Sequence, residues 1–192
     1  MIYVSSSCVK NNSIAASVEQ LSNAGFKNIE LSGGTQYYKG FEKDLLRLQD
    51  KYSLNYLCHN YFPPPEQPFV INVASLDTEV LEMSLDNLKK AIHLTQSLGA
   101  SKFGFHAGFL INIPVSQIGR SINALSLFDK EESLQRFSDS IQELTAVNPS
   151  IELFVENNVL ANMNYENFGR INPFFLCDSD SFNEINERIP IN

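Results

Sequence analysis

The sequence predicts an α/β fold of the (β/α)₈ TIM-barrel type, incomplete, with about five βα units and parallel strands. Strand-like apolar runs alternate with helical stripes five times along the chain, and such alternation indicates a parallel sheet. Ligand-type polar residues and the long loops both follow the carboxyl ends of the strands, which is the barrel layout. A doubly wound open sheet is the alternative, but no Gly-x-Gly-x-x-Gly follows the first strand.

The predicted strands are short, and their side chains alternate between two faces. They cover residues 2–5, 26–32, 54–59, 102–106 and 151–156. In the fourth strand, Phe103 and Phe105 share one face, which suits packing beneath helices. Gly104 and His106 share the opposite face, where a small residue beside an imidazole suits the crowded interior of a barrel. Gly108 then allows the chain to turn away sharply.

The predicted helices follow from apolar residues spaced three and four apart. These stripes cover residues 14–21, 41–52, 77–98, 134–144 and 182–189. Ser13 is the predicted N-cap of the first helix, and Asp178 or Asp180 that of the last. Residues 174–176 offer an alternative, a sixth strand that ends at Asp178. The asparagine-rich stretch 157–177 is otherwise predicted to be irregular.

Two long loops, 60–75 and 107–129, follow the third and fourth strands. The first contains Tyr61 and Phe62 before three consecutive prolines, and prolines exclude regular structure there. Loops of this length inside a compact domain are usually functional or disordered. The aromatic residues favour a packed lid.

Composition favours a cytoplasmic soluble protein. The 192 residues include 14 basic and 22 acidic side chains, for a net charge of −8, so binding to nucleic acid is not expected. Three cysteines without metal-type pairing suit a reducing compartment. No apolar run approaches the roughly 20 residues that a membrane helix needs, and residues 1–10 lack the pattern of a signal peptide.

Three candidate metal ligands end three successive strands: His59, His106 and Glu156. They lie about 50 residues apart, or one βα repeat, and adjacent strand ends of a barrel converge on one pocket. Imidazole nitrogen and carboxylate oxygen suit Zn²⁺, Mn²⁺ or Fe²⁺. The alternative is that each histidine only forms hydrogen bonds within the core.

Other polar residues receive less specific interpretations. Glu30 faces inward from the second strand, either to contact a substrate or to form a structural ion pair. Glu152 lies deeper on the inner face and is predicted to pair with a buried base such as Lys102. His93 is interpreted as a surface residue, and Cys58 as a core residue that faces the helices.

The sequence resembles a known family, the sugar phosphate isomerase/epimerase group with a xylose-isomerase-like barrel. Its superfamily also contains apurinic-site endonucleases, inosose dehydratases and ketose epimerases. The resemblance rests on four segments, 25–31 (GFKNIEL), 59–65 (HNYFPPP), 105–109 (FHAGF) and 155–160 (VENNVL).

The resemblance implies a divalent metal at the carboxyl end of the barrel, with His59, His106 and Glu156 at ligand or active-site positions. It implies that Glu156 also moves protons, in proton transfer next to a carbonyl. We expect a sugar or sugar phosphate as the substrate. The candidate substrate-binding residues are Glu30, His59, Tyr61, Phe62 and Asn157.

The sequence departs from this family towards its carboxyl end. A full barrel usually takes roughly 250 residues, so we expect this 192-residue chain to lack the last three strands, with the Asp, His and Glu ligands that the resemblance implies for them. Residues 182–189 would be the helix before a sixth strand that starts at Asn192. We therefore predict one xylose-isomerase-like domain over residues 1–192, with isomerase activity if further sequence or association completes the barrel.

The sequence leaves two alternatives to the isomerase. A non-catalytic barrel could act as an interaction module, and the open edges of an incomplete sheet favour self-association. An apurinic-site endonuclease is the third hypothesis, which the acidic balance and the missing ligands disfavour. No membrane partner is expected.

Overall fold

The computed structural model of the protein describes residues 1–123 and 126–189, so the proposed strand start at Asn192 lies outside the described residues. Five strands form one sheet in the order of the chain. Pairing is parallel, with Val4 opposite Ile29 and Cys58 opposite Phe103. The strands are β1 (Val4–Ser5), β2 (Asn28–Leu31), β3 (Asn55–His59), β4 (Lys102–His106) and β5 (Glu152–Glu156). The predicted α/β class with five parallel strands is therefore confirmed.

The described residues also form six α-helices. They are α1 (Ile14–Asn23), α2 (Phe41–Tyr52), α3 (Thr78–Ser97), α4 (Lys130–Val147), α5 (Asn162–Asn167) and α6 (Ser179–Arg188). Five of them match the predicted stripes. The prediction of irregular structure was wrong for α5, because six polar-rich residues are too few to show an apolar stripe. None of the six has the length and apolar character that a membrane-crossing helix requires.

By its internal contacts the chain divides into two compact units. The first unit is Met1–Pro68, Asn87–Phe105 and Val147–Phe154. The second unit is Phe69–Asp86, His106–Ala146 and Val155–Asn192. The boundary runs through β4 and β5, so the last residues of these two strands belong to the second unit. The prediction of one domain over residues 1–192 stays a prediction.

In the first unit, the two faces of the sheet carry the side chains that the alternation of residues along the strands predicts. Phe103 and Phe105 are fully buried, with ring centroids 6.0 Å apart, and Cys58 is fully buried as well. On the opposite face, the ring of Phe154 covers Gly104 so closely that an added Cβ would collide with it. The small residue predicted for this face is thus required by a neighbouring aromatic side chain.

The second unit has its own apolar cluster, in which Phe109 and Phe174 meet edge to face at 4.9 Å between ring centroids. Its buried members are Val70, Phe109, Ile111, Ile122, Phe168 and Phe174. Phe109 and Phe174 also form an isolated antiparallel bridge. Residues 174–176 do not extend this bridge into a strand, which leaves Asp178 free to start a helix.

Asp178 is the N-cap of α6. Its Oδ1 accepts a hydrogen bond from the Ser181 backbone N–H at 2.8 Å, and the Ser181 hydroxyl accepts one from the Asp178 N–H at 3.3 Å. This reciprocal pair is a capping box. The backbone hydrogen bond from Ser181 is the main cause that lowers the pKa of Asp178. Of the two predicted caps, the structure selects Asp178.

Replacing the cap tests this assignment. At pH 7 we expect Asp178→Ala to lower the free energy of unfolding by about 1 kcal/mol, measured by urea denaturation followed by circular dichroism. Asp180→Ala is the matched control, because Asp180 lies in the first turn without forming the capping box. The fold lowers the pKa of Asp178. The ionised carboxylate therefore adds to the free energy of unfolding at neutral pH, and this contribution is lost as the pH falls through the lowered pKa. Equal stability of the two variants at pH 7 would contradict the assignment.

Candidate functional site

In the first unit, His59 ends β3 beside Glu30 of β2. The distance from His59 Nδ1 to Glu30 Oε1 is 3.9 Å, and the side chains are 14% and 25% exposed. This separation is too long for a hydrogen bond, so the attraction is electrostatic and depends on protonation of the imidazole. The structure thus places both predicted residues side by side on the inner face of the sheet.

A tight turn fixes the position of His59. The next residue, Asn60, is buried and adopts a positive φ of 33°, a region that asparagine tolerates better than most residues. Its backbone N–H donates to the Gly104 carbonyl at 2.7 Å. The Phe62 N–H donates to the His59 carbonyl at 3.1 Å. The chain therefore reverses immediately after the imidazole and holds it at the strand end.

The aromatic residues of the loop after β3 have different environments. Phe62 is fully buried and packs edge to face on Phe41, with 5.7 Å between ring centroids. Tyr61 is half-buried and lies over Gly33, where an added Cβ would stand 3.1 Å from the Tyr61 Cβ. This start of the loop is packed. Phe62 anchors the loop in the core, and a substrate contact would require that packing to open.

In the second unit, His106 and Glu156 end β4 and β5 and lie together. The His106 Nδ1 is 3.9 Å from Glu156 Oε2, and both side chains are 36% exposed. The Ala107 N–H donates to the Glu156 carbonyl at 3.3 Å, which ties the two strand ends through the backbone. An imidazole and a carboxylate with this exposure can contact a bound ion or a small molecule.

The buried side-chain amide of Asn158 holds together the segments that follow His106 and Glu156. No sequence pattern marked this residue as important. Asn158 Nδ2 donates to the Ala107 carbonyl at 2.7 Å and to the Phe175 carbonyl at 3.0 Å. The Asn158 backbone N–H donates to the Leu176 carbonyl at 3.2 Å. Asn158 thus connects the segments that follow β4 and β5, whereas the predicted substrate contact Asn157 beside it is exposed.

A second buried amide holds the loop after His106. Asn72 Oδ1 accepts from the backbone N–H groups of Phe109 and Ala74 at 3.0 and 3.1 Å, and its Nδ2 donates to the Phe109 carbonyl at 3.0 Å. Gly108 packs so closely against Ala74 that an added Cβ would collide with it. The glycine predicted for a turn is therefore needed for close approach.

The remaining sequence interpretations are mostly confirmed. Lys102 Nζ and Glu152 Oε2 lie 2.8 Å apart, so the predicted pair is present. The side chains are 54% and 63% exposed, so the pair lies on the surface and the prediction of a buried base was wrong. His93 is exposed, as expected. Cys58 is fully buried, and burial raises the pKa of its thiol to about 12, so it stays protonated.

Comparison with models of protein families shows to which family this chain belongs. The family model described as "Xylose isomerase-like TIM barrel" matches residues 18–187. The chain belongs to this family. No curated protein matches the sequence.

Solved structures share the fold at low sequence identity. A D-tagatose 3-epimerase-like protein superposes with a TM-score of 0.66 at 19% identity, covering 95% of this chain and 58% of that chain. The 3-keto-D-glucoside 4-epimerase from E. coli gives 0.67 at 9% identity, covering 99% and 64%. The family 2 AP endonuclease from Brucella melitensis gives 0.58 at 14% identity, covering 92% and 59%. This chain therefore spans about three-fifths of the length of these structures, and the likeness shows the fold alone.

Adjacent asparagines provide a test of the loop connection. We expect Asn158→Ala to lower the free energy of unfolding by about 1–3 kcal/mol, because buried carbonyls lose their donor. Asn157→Ala is the control and should change stability by less than about 0.5 kcal/mol, because Asn157 is exposed. Chemical denaturation of both variants measures the difference. Similar stabilities would show that the Asn158 hydrogen bonds contribute little.

Proposed function

We propose that the protein is a metal-dependent sugar or sugar-phosphate isomerase/epimerase that acts by proton transfer next to a carbonyl. The observation that carries this proposal is the accessible pair of His106 and Glu156 at the carboxyl ends of two parallel strands. In TIM barrels, active sites lie at this end of the strands. Membership of the xylose isomerase-like family and epimerases among the structural neighbours support the same activity.

We further propose that His59, His106 and Glu156 bind one divalent cation, Zn²⁺, Mn²⁺ or Fe²⁺. Each offers one nitrogen or oxygen ligand atom. Two atoms bound at about 2.1 Å to the same ion lie at most about 4.2 Å apart, and the 3.9 Å between His106 and Glu156 falls within this limit.

The proposed roles of the side chains follow from their chemistry. A cation bound here would supply Lewis acidity toward a substrate oxygen. The Glu156 carboxylate accepts the proton from the carbon next to the carbonyl and later returns a proton to the substrate. Glu30, whose Oε1 lies 3.9 Å from His59 Nδ1, is a proposed substrate contact. Tyr61 and Asn157 are proposed substrate contacts.

Metal binding tests the ligand assignment. We expect the metal-free chain to bind about one equivalent of Zn²⁺ or Mn²⁺ in calorimetric titration, and His106→Ala to lower the affinity at least ~10-fold because one ligand is lost. His93→Ala is the matched control, because His93 is exposed on α3 outside the site. Equal affinities of the two variants would exclude His106 as a ligand.

Conversion assays separate the proposed activity from its alternatives. Interconversion of ketohexoses by the full chain, with loss in Glu156→Gln, would support the isomerase/epimerase. Metal binding without conversion would favour a non-catalytic module. Salt-sensitive cleavage of abasic DNA would instead favour an endonuclease, which the net charge of −8 disfavours.

Self-association is a further proposal. Among the described residues, β1 and β5 are the edge strands of the sheet, and unpaired strand edges can pair with another chain. We expect light scattering to show a mass above the 21.6 kDa of one chain. A monomer at all concentrations up to about 100 μM would contradict this expectation.

A further inference from the structure

A cavity of about 620 Å³ lies within the first unit, on the inner face of the sheet near the amino ends of the strands. Its half-buried aromatic and aliphatic lining residues are Tyr3, Leu57 and Phe154. They come from the residue before β1, from β3 and from β5. In a closed (β/α)₈ barrel each interior layer takes four side chains from alternate strands. These residues supply three members of such a layer, and the described residues leave the fourth place open.

The two side-chain amides of the cavity wall are already paired within the chain. Gln49 Nε2 donates to the Leu98 carbonyl at 2.9 Å, and Asn55 Nδ2 donates to Asn28 Oδ1 at 2.9 Å. A polar molecule in the cavity would have to displace these hydrogen bonds. An occupant therefore gains free energy mainly by removing apolar side chains from water.

The chain carries two strongly exposed apolar side chains beside this cavity. Met1 lines the cavity and is 90% exposed, and the neighbouring Ile2 is 86% exposed. They lead into β1, which is an edge strand of the sheet among the described residues. Burial of such side chains against Leu57 and Phe154 of another molecule would remove apolar surface from water on both sides.

The charged side chains of the cavity wall favour a second copy of this chain as the other molecule. Lys102 Nζ and Glu152 Oε2 lie 2.8 Å apart, and the side chains are 54% and 63% exposed, so both are accessible to a partner. A surface with one base beside one acid is complementary to itself across a two-fold axis, because each base then faces the acid of the other copy. The charge pattern of the cavity thus matches an identical chain.

We propose that two copies of this chain associate through this cavity across a two-fold axis, with Met1 and Ile2 of each copy packed into the cavity of the other. Leu57 and Phe154 form the receiving apolar surface, and the charged pair sets the orientation. The inference rests on the proposed self-association and deepens it. It names the inner face of the sheet as the contact surface, whereas the strand edges alone would leave this face uncovered.

Sedimentation velocity of the full chain, from about 1 to 100 μM, tests the inference. We expect a dimer, and we expect Ile2→Asp to raise its dissociation constant at least ~10-fold, because an unpaired carboxylate is costly to bury in an apolar cavity. Val159→Asp is the matched control. Val159 is also β-branched and is 81% exposed, but it belongs to the second unit and does not line the cavity. Neither variant removes a buried side chain, and circular dichroism checks that both fold.

Exchange of the charged pair tests the two-fold arrangement. We expect Lys102→Glu alone and Glu152→Lys alone each to weaken the dimer at least ~3-fold, because like charges then face each other across the axis. Mixing the two single variants should restore association as a heterodimer. Mixing restores attraction only between chains, since within each variant chain the two charges still have the same sign.

The outcomes distinguish this inference from the other proposals. A dimer of equal stability in Ile2→Asp and Val159→Asp would overturn the inference and leave pairing through the strand edges. A monomer at every concentration would overturn both forms of self-association. No gain of association on mixing the charge variants would contradict the two-fold arrangement. The isomerase proposal is tested separately, by metal binding and by conversion of ketohexoses.

Discussion

Alternation of side chains along parallel strands is the constraint on which the candidate site depends. Each strand exposes one set of residues to the helices and the other to the inner face, so a residue at a strand end can be polar while its neighbours are buried. On β4 this separates two fully buried phenylalanines from Gly104 and His106. A shift of one residue would bury His106 and expose Phe105. The apolar face therefore determines where the imidazole lies.

Buried asparagine side chains hold the loops that follow these strand ends in fixed positions. Loops after parallel strands have few backbone partners of their own, and unpaired buried carbonyls are costly. Asn72 and Asn158 each supply several hydrogen bonds to such loops in the second unit. The spacing of His106 and Glu156 thus depends on amides that need not contact a substrate.

The fold admits several chemistries, so the function depends on the site. Epimerases and an endonuclease share this architecture with the chain at identities below 20%. The accessible His106–Glu156 pair suits proton transfer and metal binding. The segment that follows Glu156 is rich in asparagine.

The sequence by itself determined the five strands, their facing pattern and the three strand-end ligand candidates, because these follow from local periodicity. It also determined the capping of α6 to within two residues. Only the tertiary structure decided that Asp178 is the cap, that Phe62 is core and that Asn158 and Asn72 hold the loops. The physical reason is distance along the chain: Asn158 reaches Ala107 across 51 residues, and a hydrogen bond between such segments leaves no periodic signal. The exposed Asn157 and the buried Asn158 are identical residues in sequence, and only packing distinguishes them.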